Sequence, residues 1–357
     1  MILASAARAQ VPPDIEAKLL AIGQIVDPAC TEKIYRPLMP VNDINGSVAP
    51  LYPGVTIARD VSFGKDQRDV VDIFTSDKGG SNRTVLIYVP GGGGNKIELQ
   101  TREGNAFYDN IGRWAVKNGM TGVLMQRHPG ANWDDPAKDV SSMIQWLQTN
   151  IPKYQGNPDR MFAWAHSAGN GPLGTYAGRP ELYGPKGVGL QGIIFMSGQF
   201  NILPVAVPGA GGGAPPAGGA NGPGSTCGGG GMASNDGALP GRAAGQPGGP
   251  TPPGGPGGRG GVPVDPAIQL VRSTLPAYKE TKMKIMLASA ELDPGIADGK
   301  MSNFNIAFHD ELCKLGPDHC PATLFAKGES HMSEVLSVDT ADKTVTDAVL
   351  KWIKQVH

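Results

Sequence analysis

Apolar positions along this chain fall into two kinds of run. Short blocks of consecutive apolar or β-branched residues read as strands buried on both faces. Such blocks occur at 70–74, 84–89, 121–125, 161–164, 192–196, 284–288 and 323–326. Between them lie stretches whose apolar residues recur at three- and four-residue steps. The clearest opens at Asp135-Pro136, a capping residue followed by a proline suited to the first helical position. Val140, Met143, Ile144, Leu147 and Ile151 then form one apolar face. Further helices are expected over 105–118, after Ser167, from near Asp265, over 302–315 and over 341–356. A short helix over 12–28 and a loop-rich stretch to Pro53 precede them. Strands alternating with helices in this way predict an α/β fold, a mostly parallel sheet covered on both faces.

Composition changes that picture at one place. Glycine (52) and proline (32) together make nearly a quarter of the 357 residues. Twenty-three of those glycines fall within 209–261, with no three-residue period and only Asp236, Arg242 and Arg259 charged. Such a tract cannot bury enough apolar surface to offset its ordering entropy. It lies between a strand and the helix expected near Asp265, so it reads as an insertion within one domain. The expected division is therefore an N-terminal extension over 1–53 and a catalytic domain over 54–357, interrupted at 209–261.

The formal charge of −1 argues against a nucleic-acid partner held by electrostatics. No apolar run approaches the roughly 20 residues of a membrane-spanning helix. Ala7-Arg8-Ala9 fits a small-x-small cleavage site, so 1–9 reads either as the remnant of an export signal or as an ordinary frayed terminus. The former favours a periplasmic or secreted location, the latter a cytoplasmic one. Of four cysteines, Cys313 and Cys320 stand where a bridge could staple a helix to the following strand. Together with His319 they offer too few ligands for structural zinc. Cys30 and Cys227 have no obvious partner.

The strongest chemical signal is Ala165-His166-Ser167-Ala168-Gly169, placed between a strand and a helix. A nucleophilic serine on such a turn must project above the sheet, and its neighbours must be small. The helix that follows aims its N-terminal amides at developing negative charge. The glycine run at 91–94 follows an earlier strand and could supply free N–H groups for an oxyanion. A P-loop is excluded by Asn95-Lys96-Ile97, and a dinucleotide fingerprint by Lys96 where a third glycine is needed. A serine nucleophile needs a base and an orienting acid. Of six histidines, His331 lies after the last strand and before the last helix, from where it can reach back over the sheet. His357 is terminal, His309 lies in a helix, His319 and His128 follow other elements, and His166 should point away from its neighbour. Asp293 follows the strand at 284–288 and is the expected acid, with Asp298 and Glu291 as fallbacks. Phe162 and Trp164 read as core.

The order Ser167, Asp293, His331 and the stretch Asn157-Pro158-Asp159-Arg160-Met161-Phe162-Ala163-Trp164-Ala165-His166-Ser167-Ala168-Gly169 resemble the α/β-hydrolase superfamily. Within it they look like the esterase/lipase group of hormone-sensitive-lipase-like and small feruloyl or acetyl esterases. The resemblance runs from about Val61 to the C-terminus, and the insertion then falls where relatives place a lid. It implies Ser167 as nucleophile, Asp293 as acid, His331 as base, and Gly92, Gly93 and Ala168 as oxyanion donors. It also implies hydrolysis of small or aryl carboxylic esters through an acyl-enzyme, with a small-molecule ester as partner and no metal or organic cofactor. An amide or peptide hydrolase of formamidase-like type, or a non-catalytic hydrolase-like binding protein, are the competing expectations. Two departures stand out: Pro90 replaces the histidine of H-G-G-G, and Ala165 replaces the elbow's first glycine.

Overall fold

Eight strands form one sheet in the order β1-β2-β4-β3-β5-β6-β7-β8. They are β1 (Val55–Ser62), β2 (Val70–Ser76), β3 (Arg83–Val89), β4 (Thr121–Met125), β5 (Gly156–His166), β6 (Gly192–Met196), β7 (Lys284–Ala290) and β8 (Ala322–Ala326). The first two pair antiparallel, β2 runs antiparallel to β4, and every later pairing is parallel. This computed structural model describes residues 11–40, 52–92, 105–128, 134–198, 200, 273–294, 296 and 301–356. The expectations for 1–9, 209–261, the helix near Asp265, Gly93, Cys227, Asp298 and His357 lie outside these residues.

Alternation along the central strands sorts their side chains into two cores. Val85, Ile87 and Val89 of β3 face one layer, as do Met161, Ala163 and Ala165 of β5. That layer is closed by α4 (Asp134–Asn150), α5 (Asn170–Ala177), α6 (Leu275–Glu280) and α7 (Asn303–Cys313). Leu86 and Tyr88 point the other way, with Phe162 and Trp164. There they meet α1 (Pro13–Ile22), α2 (Pro28–Tyr35), α3 (Ala106–Lys117), α8 (Ser333–Leu336) and α9 (Thr346–Gln355). Phe162 and Trp164 are completely buried, as expected of core residues. Removing either side chain would cost about 3–5 kcal/mol.

The expected helix over 12–28 ends early, and the start of the expected loop to Pro53 is a second helix. Gly23 takes φ 83° and ends α1. Asp27 then caps α2 by accepting a hydrogen bond from the Cys30 amide at 2.9 Å, with Pro28 opening the helix. The capping signal expected at Asp135-Pro136 falls one residue inside its helix, which opens at Asp134. Strand β1 was not legible as a block because it lies at the sheet edge and carries a register shift between Ala58 and Val61. Cys313 and Cys320 are disulfide-bonded, tying the end of α7 to the approach to β8. Cys30 is disulfide-bonded too, although the sequence offered it no obvious partner.

Candidate active site

Strand β5 ends at His166, and the chain turns at once through a single 3-10 turn, Ser167–Gly169, into α5. Ser167 sits at φ 51°, in the left-handed region that side chains seldom adopt. What holds it there is close packing on the end of β3. A Cβ on Gly169 would stand 2.4 Å from the Val89 carbonyl, and one on Gly91 would stand 2.8 Å from Ser167 Cβ. Both positions therefore require glycine. Ala165, by contrast, is accommodated inside the strand and fully buried. Asn170 adds a clasp that sequence reasoning missed. Its Nδ2 donates to the Ser167 carbonyl at 2.8 Å and to the Met196 carbonyl at 2.7 Å, while Oδ1 accepts from the Met196 amide at 3.1 Å.

Three of the expected side chains come together above this turn. His331 Nε2 lies 2.8 Å from Ser167 Oγ, and His331 Nδ1 lies 3.1 Å from Asp293 Oδ2. Asp293 and His331 are each 4% exposed, whereas Ser167 is half-buried. Asp293 sits in the turn after β7, its amide donating to the Ala290 carbonyl at 3.2 Å. His331 is carried by the loop between β8 and α8. Glu329 shapes that loop: its carboxylate accepts from the hydroxyls of Ser333 and Ser337, and its carbonyl accepts from the Leu292 amide at 2.9 Å. The fallback acid Glu291 is engaged elsewhere, accepting from the Gly328 amide at 2.8 Å.

Of the expected oxyanion donors, Gly92 and Ala168 are described and both are exposed; Ala168 directly follows Ser167, and Gly92 follows Gly91, which packs on Ser167. Gly92 takes φ 53°. The loop that carries it begins at Pro90, and the side chain bracing it is Arg127, from the segment after β4. Arg127 Nη2 donates to the Gly92 carbonyl at 2.8 Å and Nε to the Pro90 carbonyl at 3.2 Å. It is 4% exposed, and burial pulls its guanidinium down to about 10, opposed by the charge of Asp139. The signal was available in the sequence: an arginine directly after a buried parallel strand.

The remaining histidines take other places. His128 bridges acids, its Nε2 3.1 Å from Asp66 and its Nδ1 3.1 Å from Asp139. His309 sits beside the Cys313–Cys320 bridge, with Nε2 3.4 Å from Cys313 Sγ. That bridge leaves no thiolate for a metal. His166 is buried under Ser167 at 1% exposure, its Nε2 2.7 Å from the His331 carbonyl. Burial pulls its imidazole down to about 4, against the opposing pull of that carbonyl and of Asp293. No helix among the described residues is long and apolar enough to cross a membrane.

No protein-family profile matches the chain, and no curated protein does. Solved structures do. A carboxyl esterase from the mycorrhizal fungus Tuber melanosporum is 15% identical with a TM-score of 0.55, over 98% of this chain and all of that one. A bacterial heroin esterase matches with the same identity and TM-score, over 98% of each chain. A thermostable esterase from Pseudomonas putida is 14% identical with a TM-score of 0.55, over 99% of each chain. These matches over nearly the whole of each chain, together with the eight-stranded, mostly parallel sheet, make the fold that of the α/β-hydrolases.

Proposed function

We propose that the chain is a serine carboxylesterase acting on small or aryl esters. The observation that carries this reading is the continuous path from Ser167 Oγ through His331 to Asp293. Ser167 Oγ attacks the ester carbonyl while His331 Nε2 takes its proton. Asp293 accepts from His331 Nδ1–H, which keeps the basic nitrogen toward the serine and stabilises the imidazolium. Backbone amides of Gly92, Gly93 and Ala168 hold the tetrahedral oxygen, with Arg127 bonding the carbonyls of Pro90 and Gly92 on either side of the first of them. The C–O bond to the alcohol breaks, the alcohol leaves with the proton from His331, and an acyl-serine remains. Water repeats the cycle to release the acid. Esterases among the structural neighbours support the choice of ester over amide. The disulfide-bonded cysteines support an oxidising compartment, in line with an exported protein.

The test is turnover of short-chain aryl esters by the wild type and by Ser167→Ala, with organophosphate labelling read by peptide mass. The variant is expected to stay folded and lose about four to six orders of magnitude in kcat. The label is expected on Ser167. Near-wild-type turnover by a folded variant, or labelling of another serine, overturns the reading.

A further inference from the structure

His166 precedes the proposed nucleophile and points away from it, yet it touches the element that carries the proposed base. We propose that His166 is a positioning residue for His331, holding the backbone of the His331 loop through a neutral, Nε2-protonated ring backed by Glu334. The inference rests on the reading of Ser167, His331 and Asp293 given above, and adds a residue to it.

The geometry fixes the tautomer. A carbonyl oxygen only accepts, so the 2.7 Å contact between His166 Nε2 and the His331 carbonyl places the proton on Nε2. Nδ1 is then bare, and it meets no hydrogen-bond partner among the described residues. It faces the turn after β3, 3.5 Å from where a Cβ on Gly91 would lie. The same ring therefore fills the space between the proposed oxyanion loop and the loop of the base. The two imidazoles also touch, with ring centroids 4.9 Å apart. Glu334, on α8, closes the far side: its Oε1 lies 3.3 Å from His166 Nε2, and the residue is completely buried.

Charge makes the arrangement consistent. Burial favours neutral His166, in the direction already given. Burial also holds the Glu334 carboxyl well above the ordinary carboxylate range, reinforced by the nearby Asp293 charge and opposed by His331. A neutral Glu334 leaves no second carboxylate charge competing with Asp293 for the imidazolium. A ring that donates one hydrogen bond to a backbone carbonyl has a close substitute. Glutamine carries an N–H at the same number of bonds from the backbone, whereas phenylalanine keeps the ring shape and loses the donor.

The experiment compares His166→Gln and His166→Phe with the wild type in ester turnover, with Ser167→Ala in the same assay. The expected result for His166→Phe is a fall in kcat of about 10- to 100-fold with little change in KM, because the base is misplaced and substrate contacts are not. His166→Gln is expected to recover most of that loss. Equal losses in the two variants, or a folded His166→Phe with wild-type kcat, overturn the proposal. Should Ser167→Ala remain active, the reading of the site fails; should it be dead while His166→Phe is unaffected, only the role of His166 fails. A second measurement needs no foldable variant: nitrogen NMR of histidine-labelled wild type between pH 6 and 9. A neutral His166 ring with its proton on Nε2 is expected throughout. A proton on Nδ1, or a doubly protonated ring at pH 6, overturns the proposal.

Discussion

Two carboxylates near the site differ in what they face, and that difference decides their expected roles. Asp293 Oδ2 is 3.1 Å from His331 Nδ1, whereas Glu291 Oε2 accepts from the Gly328 amide at 2.8 Å. Asp293→Asn presents an amide that can pair with the wrong tautomer of His331, and kcat is expected to fall on the order of 10⁴-fold. Glu291→Gln keeps an acceptor for the Gly328 amide and is expected to change kcat by no more than about twofold. Steady-state kinetics on both variants checks this, and a larger loss from Glu291→Gln would relocate the acid. Ser167, Asp293 and His331 were legible because each follows a recognisable strand and precedes a helix or turn. Asn170 and His166 were not, since their work is done on carbonyl groups brought close only by the fold. No spacing in the chain announces that residue 166 will meet the backbone of residue 331.

Among the elements, the loop after β3 depends on a side chain from the segment that follows its neighbour β4. Arg127 bonds the carbonyls of Pro90 and Gly92, so it holds the peptides on either side of the one that carries the proposed Gly92 donor. Arg127→Lys keeps the charge but replaces a planar fork by a single ammonium, which cannot span both carbonyls. The expected result is a fall in kcat of about tenfold or more with KM nearly unchanged, the pattern of an interaction felt mainly in the transition state. A fall confined to KM would assign Arg127 to substrate binding instead. Element reading succeeded for β3, β4 and β6 because strands buried on both faces are unbroken apolar blocks. It failed for β1, where Asp60 at φ 49° interrupts the alternation and one face stays open. It also ran α1 on to Pro28 and took α2 as loop, although Gly23 and the Asp27-Pro28 pair carried both a stop and a start signal.

For the whole molecule, the buried acids near the last strand tie folding stability to pH. Glu329 and Glu334 are both completely buried. Burial holds each carboxyl well above its ordinary value, with Asp342 adding to the effect on Glu329. The folded chain thus keeps protons that the unfolded chain releases near pH 4.5. Their contribution to stability is complete below that value and is lost as pH climbs toward their folded values. Each such group costs about 1.4 kcal/mol per pH unit across its window. His166 acts oppositely: its folded value near 4 lies below the ordinary 6.5, so its contribution is complete above 6.5 and is lost as pH falls to about 4. Between pH 4.5 and 6.5 the histidine therefore offsets one of the two acids, and above 6.5 the acids act alone. Thermal midpoints of the wild type are expected to fall as pH rises above 6.5, more steeply than between 4.5 and 6.5. Glu329→Gln and Glu334→Gln are each expected to flatten the alkaline limb, since a neutral amide has no proton to lose. Glu329 feels the charge of Glu334, so the double variant is expected to depart from simple additivity. Midpoint curves that stay parallel to the wild type across pH 6.5 to 9 would show that neither carboxyl keeps its proton in the folded state.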